Sequence, residues 1–198
     1  MVSCVIIATM FQYANDTSGW KDDWQFEYRF GAFYIFPPNG VIEPVDALRQ
    51  TYDLRSASGC QAHISLSESL AAPLSDEQLE EIRTALSAVQ PFEIRYGSLR
   101  SSPPYPGICY SITPEDNFRA LRSALHSTSA FVGVPLKHEH IAPHMTIAEF
   151  ISLERTNELL QELSGKVPEG TFRCDSIEYA IPNNQFYFER VLTIPLKG

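Results

Sequence analysis

One four-residue pattern occurs twice in this chain of 198 residues, and it limits the possible folds more than any other feature of the sequence. Each copy is a histidine, an apolar residue, a hydroxyl residue and a second apolar residue, at 63–66 and 144–147. Alternation of polar and apolar residues is typical of a β-strand with one buried face. Because both copies precede a segment with helix-start signals, we predict two related lobes that face one central groove.

The alternation also assigns the polar side chains of the two copies to one face. Successive side chains of a strand point to opposite sides, so His63 shares a face with Ser65, and His144 shares a face with Thr146. Two imidazoles suit the cleavage of a phosphodiester, because a neutral one can accept a proton while a protonated one donates a proton to the leaving oxygen. The hydroxyls can donate hydrogen bonds to phosphate oxygens. This chemistry requires no metal ion and no cofactor.

The remaining segments predict an α+β fold, a mostly antiparallel sheet with helices on its outer faces. Ser75 and Gln78 form a capping box, and Thr113 is predicted to be an N-cap with Pro114 as the first helical residue. A proline-rich loop is predicted at 101–106. The predicted helices are 42–52, 75–89, 113–127 and 152–165, and the predicted strands are 31–36, 61–66, 92–99, 108–112, 143–150, 171–181 and 186–196.

The two motifs resemble those of the 2H phosphoesterase superfamily, whose members are also called 2′-5′ RNA ligase-like proteins. AHISL at 62–66 and PHMTI at 143–147 match the two His-x-Ser/Thr-x motifs of that family. The resemblance implies two pseudo-symmetric lobes around a groove, with His63, Ser65, His144 and Thr146 as catalytic residues. It also implies one of several activities: opening of 2′,3′-cyclic phosphates or of ADP-ribose 1″,2″-cyclic phosphate, cleavage of 2′-5′ oligoadenylates, or trimming of RNA ends.

Composition favours a small substrate. The net charge is −9, which is poorly suited to long duplex nucleic acids, since these are bound by many Lys and Arg residues. The four cysteines form no C-x-x-C pair, so we predict reduced thiols in a cytoplasmic protein. No stretch is apolar enough to cross a membrane. The apolar segment 1–11 is predicted to be a buried strand rather than a signal peptide, because no basic residue precedes Lys21.

Several residues outside the motifs are further candidates. Base recognition commonly uses aromatic side chains, and Tyr34 and Tyr110, in predicted central strands, are expected to line the groove as substrate-binding residues. A second phosphate could meet Arg29, Arg95 or Arg100. The sequence H-x-H-x-x-x-H at 138–144 could hold a metal ion, but Pro143 interrupts any helix that would align it, and a solvated loop is favoured.

We therefore predict an N-terminal extension at 1–30 followed by a single bilobal domain at 31–198. The leading hypothesis for function is a metal-independent phosphodiesterase that opens a cyclic phosphate on a small nucleotide-like substrate. One alternative is a phosphodiesterase of 2′-5′ linked oligonucleotides or RNA ends. Another is a nucleotide-binding module without catalytic activity. The sequence leaves the oligomeric state open.

Overall fold

The computed structural model describes residues 11–102 and 104–197, and these form one eight-stranded sheet with helices. The strands are β1 (Ala32–Ile35), β2 (Ile64–Ser65), β3 (Phe92–Ser102), β4 (Tyr105–Thr113), β5 (His144–Ala148), β6 (Gly170–Cys174), β7 (Ser176–Pro182) and β8 (Phe188–Pro195). Their order is β6-β3-β4-β5-β2-β1-β7-β8, and every neighbouring pair is antiparallel. The predicted α+β class is confirmed.

The helices begin close to the residues that the sequence marks as caps. In the capping box, the Gln78 backbone N–H donates to Ser75 Oγ and the Ser75 N–H donates to Gln78 Oε1. Ser152 caps its helix through a single hydrogen bond, which its Oγ accepts from the N–H of Arg155. The helices are α1 (Asn39–Tyr52), α2 (Leu54–Ala57), α3 (Asp76–Ser87), α4 (Glu115–His126) and α5 (Leu153–Leu163), with 3-10 turns at Asp23–Tyr28 and Ser129–Phe131.

The two motif strands lie side by side in the middle of the sheet. Ile64 of β2 is directly opposite Met145 of β5, and three further strands flank each of them. The strand order has an approximate twofold symmetry about this pair, which exchanges β2 with β5 and one half of the sheet with the other. The two predicted lobes are therefore the two halves of one continuous sheet.

The two faces of the sheet have different coverings. One face packs against α1, α3, α4 and α5 in the main hydrophobic core, which includes Phe33, Ile64 and Met145. In α3 the buried residues Leu79, Ile82 and Leu86 recur at helical spacing, so one stripe of the helix faces the sheet. Full burial of such side chains contributes about 1.5–3 kcal/mol each to the stability of the fold. The opposite face carries the polar side chains of both motifs.

Three local predictions were wrong, each because long-range pairing took precedence over a local signal. The predicted strand at 171–181 is divided at Asp175 into β6 and β7, which lie in different halves of the sheet. The predicted loop at 101–106 is instead a hairpin, since β3 extends to Ser102 and β4 starts at Tyr105. Thr113 is the last residue of β4 and not an N-cap, and α4 begins after Pro114.

Residues 11–30 pack against the domain. Trp20 is buried in a second apolar cluster with Tyr34, Phe186 and Phe188, and its indole N–H donates to the Asn183 carbonyl at 3.2 Å. This cluster lies on the same face of the sheet as the motif side chains. The boundary predicted after residue 30 stays a prediction, and most of the predicted strand at 1–11 lies outside the described residues. No helix of the described chain is both long and apolar enough to cross a bilayer.

Candidate active site

The register of the central strands brings the four motif side chains together. Ile64 faces Met145 across the β2–β5 pair, so the antiparallel geometry places His63 beside Thr146 and Ser65 beside His144. Side chains opposite each other in such a pair have Cβ atoms about 4.5–5.5 Å apart, and diagonal neighbours about 7–8 Å. All four line one cavity of about 730 Å³.

Both imidazoles make the same hydrogen bond to the backbone. His63 Nδ1 lies 2.7 Å from the carbonyl oxygen of Gln61, and His144 Nδ1 lies 3.0 Å from that of Ala142. A carbonyl oxygen only accepts, so each neutral ring is protonated at Nδ1 and has a lone pair on Nε2. The hydrogen bond to the carbonyl two residues earlier also fixes the orientation of each ring. The two histidines therefore correspond to each other in their hydrogen bonds as well as in their strand positions.

Burial keeps both imidazoles neutral near neutral pH. It is the largest cause that lowers the pKa of His63 from 6.5 to about 4; the hydrogen bond to the Gln61 carbonyl opposes this shift, and the positive charge of Arg49 adds to it. The ring of Tyr34 contacts His63 edge-on, with centroids 4.9 Å apart. Burial is also the largest cause that lowers the pKa of His144, and the positive charge of Arg100 adds to it. Both rings are therefore proton acceptors in the free protein.

The two tyrosines expected to bind substrate lie on different faces of the sheet. Tyr34 is opposite Ser65 in the β1–β2 pair and contributes to the cavity lining, and its part in substrate binding stays a prediction. Tyr110 is opposite Met145 and fully buried in the core, where it contacts Tyr96. The expectation that Tyr110 lines the groove was therefore wrong, because its strand register turns the side chain to the helix-covered face.

Of the three arginines considered for a second phosphate, Arg100 lies near the motif residues. Its Nη2 donates to the Ala142 carbonyl at 3.1 Å, the same oxygen that accepts from His144 Nδ1. Arg95 is exposed on β3, and the guanidinium carbon of Arg29 lies over the Phe30 ring, 5.8 Å from its centroid. Arg100 thus contacts the carbonyl that orients the His144 ring, and its positive charge lowers the pKa of that imidazole.

One cysteine thiol also borders the cavity. Cys60 contributes to the lining, and burial raises the pKa of its thiol to about 12. A thiol is a weak nucleophile until it is ionised, so Cys60 is not prepared for covalent catalysis. The described cysteines Cys60, Cys109 and Cys174 are all buried and unpaired.

The loop before β5 does not gather the histidines that the sequence offered as metal ligands. His138 Nδ1 lies 2.7 Å from Glu68, which also accepts from Arg122 at 2.9 Å. His140 is exposed. In the part of the chain that the structure describes, no group of three His, Cys, Asp or Glu side chains is arranged to hold a metal ion.

The structure adds cavity residues that the sequence did not single out. Trp24 comes from the N-terminal segment, Arg55 from α2, and Glu149 and Phe150 from the residues directly after β5. Ser56 Oγ donates to Glu149 Oε1 at 3.2 Å. Glu149 and Phe150 come two and three residues after the second motif, which ends at Ile147, and this closeness in sequence is a usable signal. Trp24 has none, because more than a hundred residues separate it from the motif that it approaches.

Comparison with known proteins identifies the family of the chain. Residues 36–184 match a family model described as the 2′-5′ RNA ligase superfamily. A Bacillus cytotoxicus protein named as a candidate phosphoesterase is 30% identical over 139 residues, which cover 67% of this chain and 76% of that protein.

Solved structures with the same fold include E. coli LigT in complex with 3′-AMP, with a TM-score of 0.56 and 13% identity. They also include the Thermus thermophilus protein TT0787, with a TM-score of 0.53 and 13% identity. In both cases the alignment covers 84% of this chain and 97% of the other. At such low identity the likeness shows the fold alone.

Proposed function

Because the chain belongs to the 2′-5′ RNA ligase superfamily of 2H phosphoesterases, we propose that it is a metal-independent phosphodiesterase that opens a cyclic phosphate on a small nucleotide-like substrate. One observation carries the proposal. Two imidazoles and two hydroxyls line a single cavity, and both imidazoles are tied back through Nδ1. Each Nε2 is therefore oriented and available for proton transfer.

The reaction is hydrolysis of one phosphorus–oxygen bond. Water attacks the phosphorus, and His63 Nε2 accepts its proton as the new bond forms. The bond from phosphorus to one ribose oxygen breaks, and His144 donates a proton from Nε2 to that oxygen. The product is a phosphate monoester with a free hydroxyl. Ser65 and Thr146 donate hydrogen bonds to the non-bridging oxygens, where negative charge develops.

The reaction needs one protonated imidazole, and binding of the negatively charged substrate favours protonation of one of the two rings. In the free protein the lowered pKa values keep both rings neutral. A bound phosphate between them carries negative charge, which favours the charged form of a neighbouring imidazole. We assign the base role to His63, whose pKa is about 4, and the acid role to His144.

Three observations support a small nucleotide-like substrate. The cavity volume of about 730 Å³ lies within the range of roughly 300–1,000 Å³ that is usual for whole small-molecule ligands. The net charge of −9 disfavours a long polyanion. The structurally similar E. coli LigT has been solved with 3′-AMP, ATP and NADP⁺.

The test is a substrate panel read out by product mass. The panel contains nucleoside 2′,3′-cyclic phosphates, ADP-ribose 1″,2″-cyclic phosphate and 2′-5′ oligoadenylate, each with and without EDTA. We expect turnover of a cyclic phosphate that survives EDTA. Turnover of 2′-5′ oligoadenylate alone would favour the alternative diesterase, and nucleotide binding without any product would favour a non-catalytic module.

Variants then test the acid–base pair. His63→Ala and His144→Ala should each lower kcat by about 10²–10⁴, the usual contribution of one acid–base group. The double variant should be little worse, because groups that act as a unit are not additive. His140→Ala is the matched control, since His140 is exposed and outside the cavity lining. Folded single variants with wild-type turnover would refute the assignment.

A further inference from the structure

Two large aromatic side chains remain exposed at the mouth of the cavity. Trp24 is 41% exposed and Phe150 is 39% exposed, whereas Trp20, four residues before Trp24, is 6% exposed. The Trp24 and Phe150 rings are nearly parallel, at 22°, with centroids 6.3 Å apart. Clustered exposed apolar groups are characteristic of binding sites, so we expect a ligand to cover these two rings.

The rings border the same cavity as the motif residues. Trp24, Phe150, His63 and His144 all belong to its lining. Phe150 follows Thr146 by four residues, a distance along the chain of at most about 14 Å. The cavity volume of about 730 Å³ is far more than a phosphate group alone requires. A ligand with its phosphate between the histidines therefore has space to extend to the rings.

We propose that Trp24 and Phe150 form a nucleobase-stacking platform, so that the N-terminal segment supplies the base subsite of this enzyme. The proposal rests on the proposed function, since it assumes that the phosphate lies between the two imidazoles. Stacking is open to every base because each has a flat π-face. The platform therefore binds the base of a nucleotide without selecting strongly among bases.

Polar contacts hold the segment over the cavity. Arg55 Nη2 lies 2.6 Å from Asp22 Oδ2, and its guanidinium carbon is 4.0 Å from the centroid of the Phe150 ring. Arg55 therefore joins the N-terminal segment to one ring of the platform. At the other end of the 3-10 turn, Glu27 pairs with Lys137 at 2.6 Å. Both pairs are largely exposed, so they position the turn more than they stabilise the fold.

The kinetic test compares a substrate that has a base with one that has none. For Trp24→Ala, kcat/KM for adenosine 2′,3′-cyclic phosphate should fall about 5- to 150-fold relative to kcat/KM for glycerol 1,2-cyclic phosphate, as expected from stacking of one base. Trp24→Phe should recover most of the loss. Tyr105→Ala, which removes an exposed aromatic ring outside the cavity lining, is the control and should change neither value.

A binding test separates the platform from the proposed reaction. The chain has two tryptophans, and the other one, Trp20, is buried. Adenosine 3′-monophosphate should quench the tryptophan fluorescence of the wild type, and Trp24→Phe should abolish the quenching. Turnover of no cyclic phosphate in the substrate panel would refute the proposed function, and the quenching would still decide whether the platform binds a base. Absence of quenching, or equal kinetic losses on both substrates, would overturn the platform.

Discussion

The lowered pKa of His63 predicts a specific loss of stability in acid. The pKa is about 4 in the folded protein and 6.5 as an ordinary value, so the unfolded chain binds a proton at a pH where the folded protein does not. Above about pH 6.5, His63 is neutral in both states and has no effect on the free energy of unfolding. As the pH decreases from 6.5 towards 4, the proton that only the unfolded chain binds lowers the free energy of unfolding. The perturbation that isolates this contribution is His63→Gln, which removes the titrating group and retains a polar side chain.

The magnitude follows from the difference between the two pKa values. A difference of about 2.5 units, at 1.36 kcal/mol per unit, limits the total to about 3.4 kcal/mol. At about pH 4.5 the linkage relation gives roughly 2.5 kcal/mol. Between about pH 7.5 and about pH 4.5, the wild type should therefore lose roughly 2.5 kcal/mol more of its free energy of unfolding than His63→Gln does. Titrations of other groups are common to both proteins and cancel in this comparison.

Urea unfolding at the two pH values measures the difference, provided that the slope with denaturant is the same for both proteins. An NMR titration of the histidine ring protons gives an independent value, with the His63 resonance identified by its absence from His63→Gln. Equal losses of stability in the two proteins, or a His63 resonance that titrates near 6.5, would refute the argument from burial. The assignment of His63 as a base that is neutral in the free enzyme would then lose its physical basis.

Three further predictions concern other parts of the site and the fold. Ser65→Ala and Thr146→Ala should each cost about 1–3 kcal/mol in kcat/KM, since each removes one hydrogen bond to phosphate; steady-state kinetics with the cyclic substrate measure this. Arg100→Gln removes a positive charge that lowers the pKa of His144, so the alkaline limb of the kcat/KM profile should move to higher pH, and an unchanged limb would contradict this. Gly31→Ala should lower the free energy of unfolding by roughly 2 kcal/mol or more. Its φ is +75°, and an added Cβ would lie 2.3 Å from a carbonyl oxygen of β7, so an unaltered midpoint in urea would be inconsistent with this geometry.

The features that the sequence determined by itself are those with a short-range physical cause. The two-residue period of a strand assigned His63 and Ser65 to one face and the apolar residues between and after them to the other, and the structure has this alternation. The cap at Ser75 was predictable for the same reason, because all its partners lie within one helical turn. The family resemblance depended on these same short motifs.

Only the tertiary structure decided which tyrosine faces the groove and which aromatic rings from distant parts of the chain line the cavity. Tyr34 and Tyr110 both lie in central strands, but Tyr34 pairs with Ser65 on the groove face, whereas Tyr110 pairs with Met145 on the core face. The register between strands sets that difference, and a local pattern does not contain it. The approach of Trp24 to Phe150 likewise depends on the packing of residues 11–30 across the sheet, since the contacts that hold this segment come from distant parts of the chain.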